Sequence, residues 1–299
     1  MVGLILPLLS PPAWSQQISK TIGRVTIVVD EAAAYPGGLL TVWLRSRRGV
    51  GGRVLGILDG RRCPAFSTSR GIRAMVPIPV GYRPGPATLG LEIRTWDGGR
   101  QRIPVGVVVK ERSYPPRSTV IPEIKRVALA APAGVRDGRL LQMFLRTVTP
   151  TQQWRGAFQP PVAVEPSPSF GCPQTYLGAS PVEMKLDAIY GEYHRGLDYA
   201  VDAGTPVRAP ASGTVLFAGV LTLSGQTLVL DHGQGLISVF YHLARTEVRT
   251  GDAVPTGAVL GVSGDSGIAD SPHVHWGTYL HAVAVDPRAV MHLPGETDR

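Results

Sequence analysis

Glycine and proline interrupt this chain so often that long helices have no room to form. There are 36 glycines and 27 prolines among 299 residues. The runs between these breaks are short and rich in β-branched and other apolar residues, which favours strands joined by turns. Seven such runs lie in the first third of the chain, at residues 25–30, 39–45, 53–58, 63–68, 72–80, 87–95 and 102–109. Tyr35-Pro36-Gly37-Gly38, Asp59-Gly60, Tyr82-Arg83-Pro84-Gly85-Pro86 and Asp97-Gly98-Gly99 separate several of them. Short strands at this spacing predict an immunoglobulin-like antiparallel β-sandwich over residues 22–112. It holds no cluster of catalytic residue types and reads as a binding, positioning or inhibitory module.

Residues 113–160 form a proline-rich connector marked by Tyr114-Pro115-Pro116 and Ala131-Pro132. Within it, Asp137 is placed to cap a short amphipathic helix in which Leu140, Leu141, Phe144 and Leu145 follow helical spacing. From residue 161 to 293 the pattern returns to strands, at 206–209, 213–220, 227–231, 237–243, 259–262 and 274–280. The chain as a whole is therefore mainly β, with two modules.

Thirty basic against 22 acidic residues give a net charge of +8, which suits an anionic partner such as a membrane surface or cell-wall polymer. No basic cluster with interleaved aromatics occurs, so nucleic acid is not expected. Residues 1–17 carry an apolar run, Leu4 to Leu9, followed by Ala13-Trp14-Ser15, the outline of a secretory signal without its basic start. The run is too short to span a bilayer, and no integral membrane segment follows it. An exported protein is the reading this supports. Cys63 and Cys172 are the only cysteines. They can form one disulfide or remain two thiols, and they are too few for a cysteine zinc cluster.

All seven histidines lie between His194 and His292, a local concentration of the commonest zinc ligand. His273 and His275 stand two apart in a strand-like run, so both imidazoles face one space; alone, they would fit a packed polar pair as well. His194 and Asp198 stand four apart, with Gly196 between them, where a loop enters a strand. Together with His275 they make three donors and leave a fourth zinc position for water, as catalytic sites require. His242 lies inside the run 237–243, where simple alternation groups it with Ser238 and Phe240 and turns Tyr241 to the other face.

In order and spacing, His194-x-x-x-Asp198, Tyr241-His242-Leu243, Gly261-x-x-Gly264 with Gly267, and Pro272-His273-x-His275 resemble the lysostaphin and LytM type of zinc metallopeptidases. Residues 204–210, Gly213-Thr214-Val215, Gly251-Asp252-Ala253-Val254 and Val285-Asp286-Pro287 agree with that family's framework. The resemblance implies an antiparallel β catalytic domain. It also implies a zinc metalloendopeptidase that hydrolyses peptide cross-links of bacterial peptidoglycan through attack of a zinc-activated water on the peptide carbonyl. His194, Asp198 and His275 would bind Zn²⁺, and His242 and His273 would be the catalytic histidines, their division of labour open. The partners implied are peptidoglycan peptide stems, and the place is the periplasm or cell envelope of a bacterium.

A non-catalytic wall-binding or amidase-activating protein on the same scaffold is the alternative, although such proteins typically lack ligands that are intact here. Intramolecular regulation is a further expectation, with the N-terminal module or the connector covering the groove. The chain departs from the family pattern at Trp276-Gly277-Thr278 and at residues 178–192, both expected to line or approach the groove. Two local likenesses carry less. His273-Val274-His275-Trp276-Gly277 imitates α-type carbonic anhydrases without their framework, and Gly264-Asp265-Ser266-Gly267 imitates a chymotrypsin-like nucleophile loop.

Overall fold

The computed structural model describes residues 17–22, 25–45, 53–94, 99–128, 133–177 and 193–293. The candidate signal segment and residues 178–192 lie largely or wholly outside them. Eight antiparallel strands build the N-terminal module: β1 (Gln17–Ile22), β2 (Val25–Asp30), β3 (Leu39–Arg45), β4 (Arg53–Leu58), β5 (Arg61–Thr68), β6 (Gly71–Pro77), β7 (Gly85–Arg94) and β8 (Arg100–Val109). Their order is β1-β2-β3-β6-β5-β4-β7-β8. Alternation drives the burial: in β8, Ile103, Val105, Val107 and Val109 turn inward while their neighbours face solvent. Asp59 and Gly60, at φ 48° and 72°, close the two-residue turn between β4 and β5, where positive φ at both positions matches strand twist.

Strand β5 turns a corner. Residues 61–64 pair with β4 and residues 65–68 with β6, so the two layers of the expected sandwich join into a nearly closed barrel. All seven expected strands are present. The eighth, β1, reads Gln-Ile-Ser-Lys-Thr-Ile, with no apolar run to announce it. Cys63 and Cys172 are both buried and both free.

The connector contains β9 (Arg117–Val120), a 3-10 turn (Glu123–Ala128) and α1 (Ala133–Leu145). The helix begins five residues earlier than a cap at Asp137 implies, so Asp137 lies inside it and caps nothing. Its carboxylate instead accepts hydrogen bonds from the Thr222 backbone N–H (2.7 Å) and hydroxyl (2.5 Å), docking the helix on the C-terminal module. Further along, Trp154 and Phe158 enter that module's core.

The C-terminal module begins with β10 (Gln174–Leu177), which pairs in parallel with β9. Its main sheet comprises β11 (Gly196–Ala200), β12 (Pro206–Arg208), β13 (Gly213–Leu221), β14 (Gly225–Gly233), β15 (Leu236–Thr246), β16 (Ala253–Val254), β17 (Val259–Ser263), β18 (His273–Leu280) and β19 (Val283–Val285), followed by α2 (Pro287–Met291). The central path runs β11-β18-β15-β14-β13-β16. One face of the sheet packs Leu197, Leu228, Phe240, Val274 and Trp276 into the main core. The other face packs Val229, Val239, Tyr241 and Tyr279 against Leu141 and Leu145 of α1. No helix among the described residues is long and apolar enough to cross a membrane.

The modules share buried structure. Leu39 and Met75 of the N-terminal module belong to the core cluster that holds Phe240 and Trp276. Arg73, 1% exposed, donates to Gln152 and Gln234 and lies over the Trp43 and Trp154 rings. Asp286 accepts from Arg112 (2.9 Å) and Tyr35 (3.4 Å) and caps α2 through the Arg288 N–H.

Candidate metal centre

Cross-strand register assembles the site. In the sheet, His275 of β18 stands directly opposite Asp198 of β11 on one side and Tyr241 of β15 on the other. Residues directly opposite share a face, so carboxylate, imidazole and phenol form one row. His273 shares that face through strand alternation. The row lies on the same side of the sheet as α1, with Tyr241 in the core cluster that holds Leu141 and Leu145.

His194, just before β11, folds back so that its Nε2 lies 3.2 Å from Asp198 Oδ1. His275 Nδ1 lies 3.0 Å from the same oxygen. Gly196 makes this approach possible, because a Cβ there would stand 2.6 Å from His275 Nε2. Tyr241 stacks on the His275 ring at 4.9 Å with an interplanar angle of 8° and holds it in place.

The three donor atoms lie within 4.8 Å of one another. In a zinc tetrahedron with bonds of about 2.0–2.1 Å, neighbouring donors stand roughly 3.3 Å apart. Two imidazole nitrogens and one carboxylate oxygen at these separations, with no thiolate to close the site, fit a zinc ion with one open position. Burial works to raise the Asp198 pKa, but the His194 charge and hydrogen bonds from His194 and His275 outweigh it and hold the carboxyl well below its usual range. The oxygen is thus an anion, as a metal ligand must be.

His242 reaches the same space by a route that alternation does not foresee. Gln226 of β14 pairs with Leu243 and Leu228 with Phe240, so Tyr241 and His242 together oppose Thr227. This is a β-bulge, and His242 sits in it at φ 63°. Bulges re-aim side chains beside active sites, and a histidine in the left-handed region carries strain that the fold must support. His242 therefore leaves the Phe240 face and joins Tyr241 and His275, with its ring 4.8 Å from His273 and 6.5 Å from His275. Burial, aided by His273 and His275, lowers its pKa to about 3.

Both histidines are fixed from behind. His242 Nδ1–H donates to the Ser266 carbonyl at 2.8 Å, and His273 Nδ1–H donates to the Ser271 carbonyl at 2.8 Å. These bonds set the tautomer and leave each Nε2 with a lone pair; that of His273 lies 4.0 Å from Asp198 Oδ1. Ser266 has a supporting role. Its hydroxyl donates to the Leu243 carbonyl (2.6 Å) and accepts from the Gln226 N–H (2.9 Å), pinning the loop to the bulge and leaving no nucleophile.

Trp276 does not line the groove. It is fully buried on the opposite face of β18 and donates to Ser238, as alternation from His275 requires. His232 is likewise structural, bonded to the Ser212 carbonyl and the Ser238 hydroxyl. Two contributors escaped sequence reasoning. The stacking role of Tyr241 was open to view in its adjacency to His242. Arg117, whose Nη1 lies 2.6 Å from Asp198 Oδ2, stands far upstream with no local signal.

The chain has relatives among known proteins. The family model described as Peptidase family M23 matches residues 192–287. An uncharacterized metalloprotease of Haemophilus influenzae is 39% identical over 103 residues, covering 34% of this chain and 22% of that protein. The peptidoglycan DD-endopeptidase ShyC of Vibrio cholerae is 32% identical over 97 residues, covering 32% of this chain and 22% of ShyC. The matches thus span about a quarter or less of these curated relatives. A crystal structure described as a peptidase M23 of Pseudomonas aeruginosa is 30% identical, with 86% of this chain and 95% of that chain covered and a TM-score of 0.62.

Proposed function

Because the chain belongs to peptidase family M23, we propose that it is a zinc metalloendopeptidase that hydrolyses peptide cross-links of bacterial peptidoglycan. The observation that carries this reading is the convergence of His194 Nε2, Asp198 Oδ1 and His275 Nδ1 beside two further imidazoles with anchored Nδ1 atoms. ShyC, a peptidoglycan DD-endopeptidase by name, supports the substrate class. Action on the wall would put the protein in the cell envelope or periplasm.

His194, Asp198 and His275 would hold the zinc. When bound, zinc lowers the pKa of a coordinated water to about 7 and polarises a carbonyl. His242 and His273 handle protons at Nε2: a neutral ring accepts one, and the charged ring stabilises a developing oxyanion or delivers the proton to the leaving amine. Their Nδ1 bonds to Ser266 and Ser271 keep both rings aimed while this happens.

The test is digestion of purified peptidoglycan with mass spectrometry of the fragments. Cleaved cross-links are expected with the zinc-loaded protein and not after chelation. His273→Ala should retain zinc and lose hydrolysis by roughly 10²–10⁴-fold. Undiminished cleavage by metal-free protein would end the proposal.

A further inference from the structure

The ion pair between Arg117 and Asp198 comes from outside the stretch that the family model matches. Arg117 opens β9, in the connector, and its guanidinium donates to Oδ2, the carboxylate oxygen turned away from the imidazoles. His194 Nε2 and His275 Nδ1 both address Oδ1. The two oxygens of one buried carboxylate are thus assigned to different neighbours. A carboxylate free to rotate can offer a metal either oxygen or both; one whose outer oxygen is held by arginine presents a single oxygen at a fixed angle. Groups that hydrogen-bond a metal ligand in this way orient it and tune its affinity.

The strand that carries Arg117 is itself fixed. Its N–H bonds to the Pro173 carbonyl at 2.8 Å, and β9 pairs in register with β10, Arg117 opposite Gln174. Gln174 Nε2 donates to Thr119 Oγ1 at 2.7 Å. Beyond the strand, Lys125 donates to the carbonyls of Asp265 and Ala269 on the loop that holds His242. The connector is therefore clamped on both sides of the cleft, with Arg117 and Thr119 lining it beside His194, Asp198, His242 and His273.

We propose that Arg117 is a positioning residue for the metal site: the connector strand locks Asp198 through Oδ2 so that Oδ1 alone is offered to zinc. This rests on the zinc reading above. It makes the site a product of the connector and the C-terminal module together. It also opposes the expectation that the connector merely covers the groove, because removal of a cover raises activity whereas loss of a positioning group weakens the metal.

The experiment is zinc affinity of the purified full chain, measured by competition with a chromophoric chelator, with circular dichroism to confirm the fold. Arg117→Gln should weaken zinc binding about 10–100-fold, and Arg117→Lys, which keeps the charge, should recover part of the loss. Thr119→Val breaks the Gln174 bond without changing charge and should leave affinity unchanged. Unaltered or tighter zinc binding in Arg117→Gln would overturn the proposal, as would an equal loss in Thr119→Val, which would reduce Arg117 to strand docking. Faster wall hydrolysis by Arg117→Gln at saturating zinc would make β9 an occluding strap and also overturn it. If the unaltered chain takes up no zinc, the zinc reading falls first and the positioning role with it.

Discussion

Two buried aspartates, each met by an arginine from outside the C-terminal module, end up with opposite roles. At the seam between the modules, Asp286 is fully buried and accepts from Arg112, Tyr35 and the Arg288 N–H. In the cleft, Asp198 has Arg117 on one oxygen and two imidazoles on the other. Every donor around Asp286 brings its own hydrogen and leaves nothing to coordinate. Around Asp198, the two imidazole nitrogens that face the carboxylate can surrender their protons and become donors of electron pairs. Both carboxylates answer the cost of burying a charge, but the surroundings of Asp286 complete a structure while those of Asp198 leave room for an ion.

Substitution should separate the two most sharply. Asp198→Ala is expected to abolish stoichiometric zinc binding and bring wall hydrolysis down to background, read by metal analysis and peptidoglycan digestion. Asp286→Ala should leave the zinc stoichiometry intact and cost about 3 kcal/mol of stability, because Arg112 keeps its charge at a half-buried seam without its partner; urea unfolding measures it. If Asp286→Ala lost zinc as Asp198→Ala does, the seam and the cleft would be one unit.

A smaller effect comes from pH. His232 is neutral in the fold, its pKa lowered by burial from 6.5 to about 4. Between those values the unfolded chain binds the extra proton, so stability is full above pH 6.5 and falls as pH drops towards 4, by about 3 kcal/mol at most. Unfolding of the zinc-free chain against that of His232→Gln isolates the contribution, and identical pH slopes would remove it. Smallest of all, Ser266→Ala should cost about 1 kcal/mol for its lost hydroxyl bonds. It should also slow hydrolysis without releasing zinc, since only the loop behind His242 is loosened.

Most of the fold was legible because it is written in local alternation. Strands β4 and β8 of the N-terminal module bury residues spaced by two, and Asp59-Gly60 forces its turn through two positive φ angles. The candidate donors were legible for a similar reason: His194 with Asp198 and His273 with His275 are close in sequence, so short-range geometry already groups them. The bulge at His242 was not, because it exists only in the pairing of β15 with β14, and a strand read alone places that ring on the wrong face. Arg117 was illegible for a stronger reason, since the contact that gives it meaning lies 81 residues away. Asp137 misled through its own chemistry: a carboxylate early in a helical run suits a cap, and only the position of Thr222 shows that it docks the helix instead.

The shared core has a consequence for how such a module can be exchanged between proteins. Leu39 and Met75 lie among the residues that support β18 from behind, and Trp154 and Phe158 join them from the connector. A graft of the last 140 or so residues onto a foreign carrier would bring the metal donors but leave holes in the wall behind them. In this chain the C-terminal module thus rests on its companion, and a graft of the whole described chain would keep that wall filled.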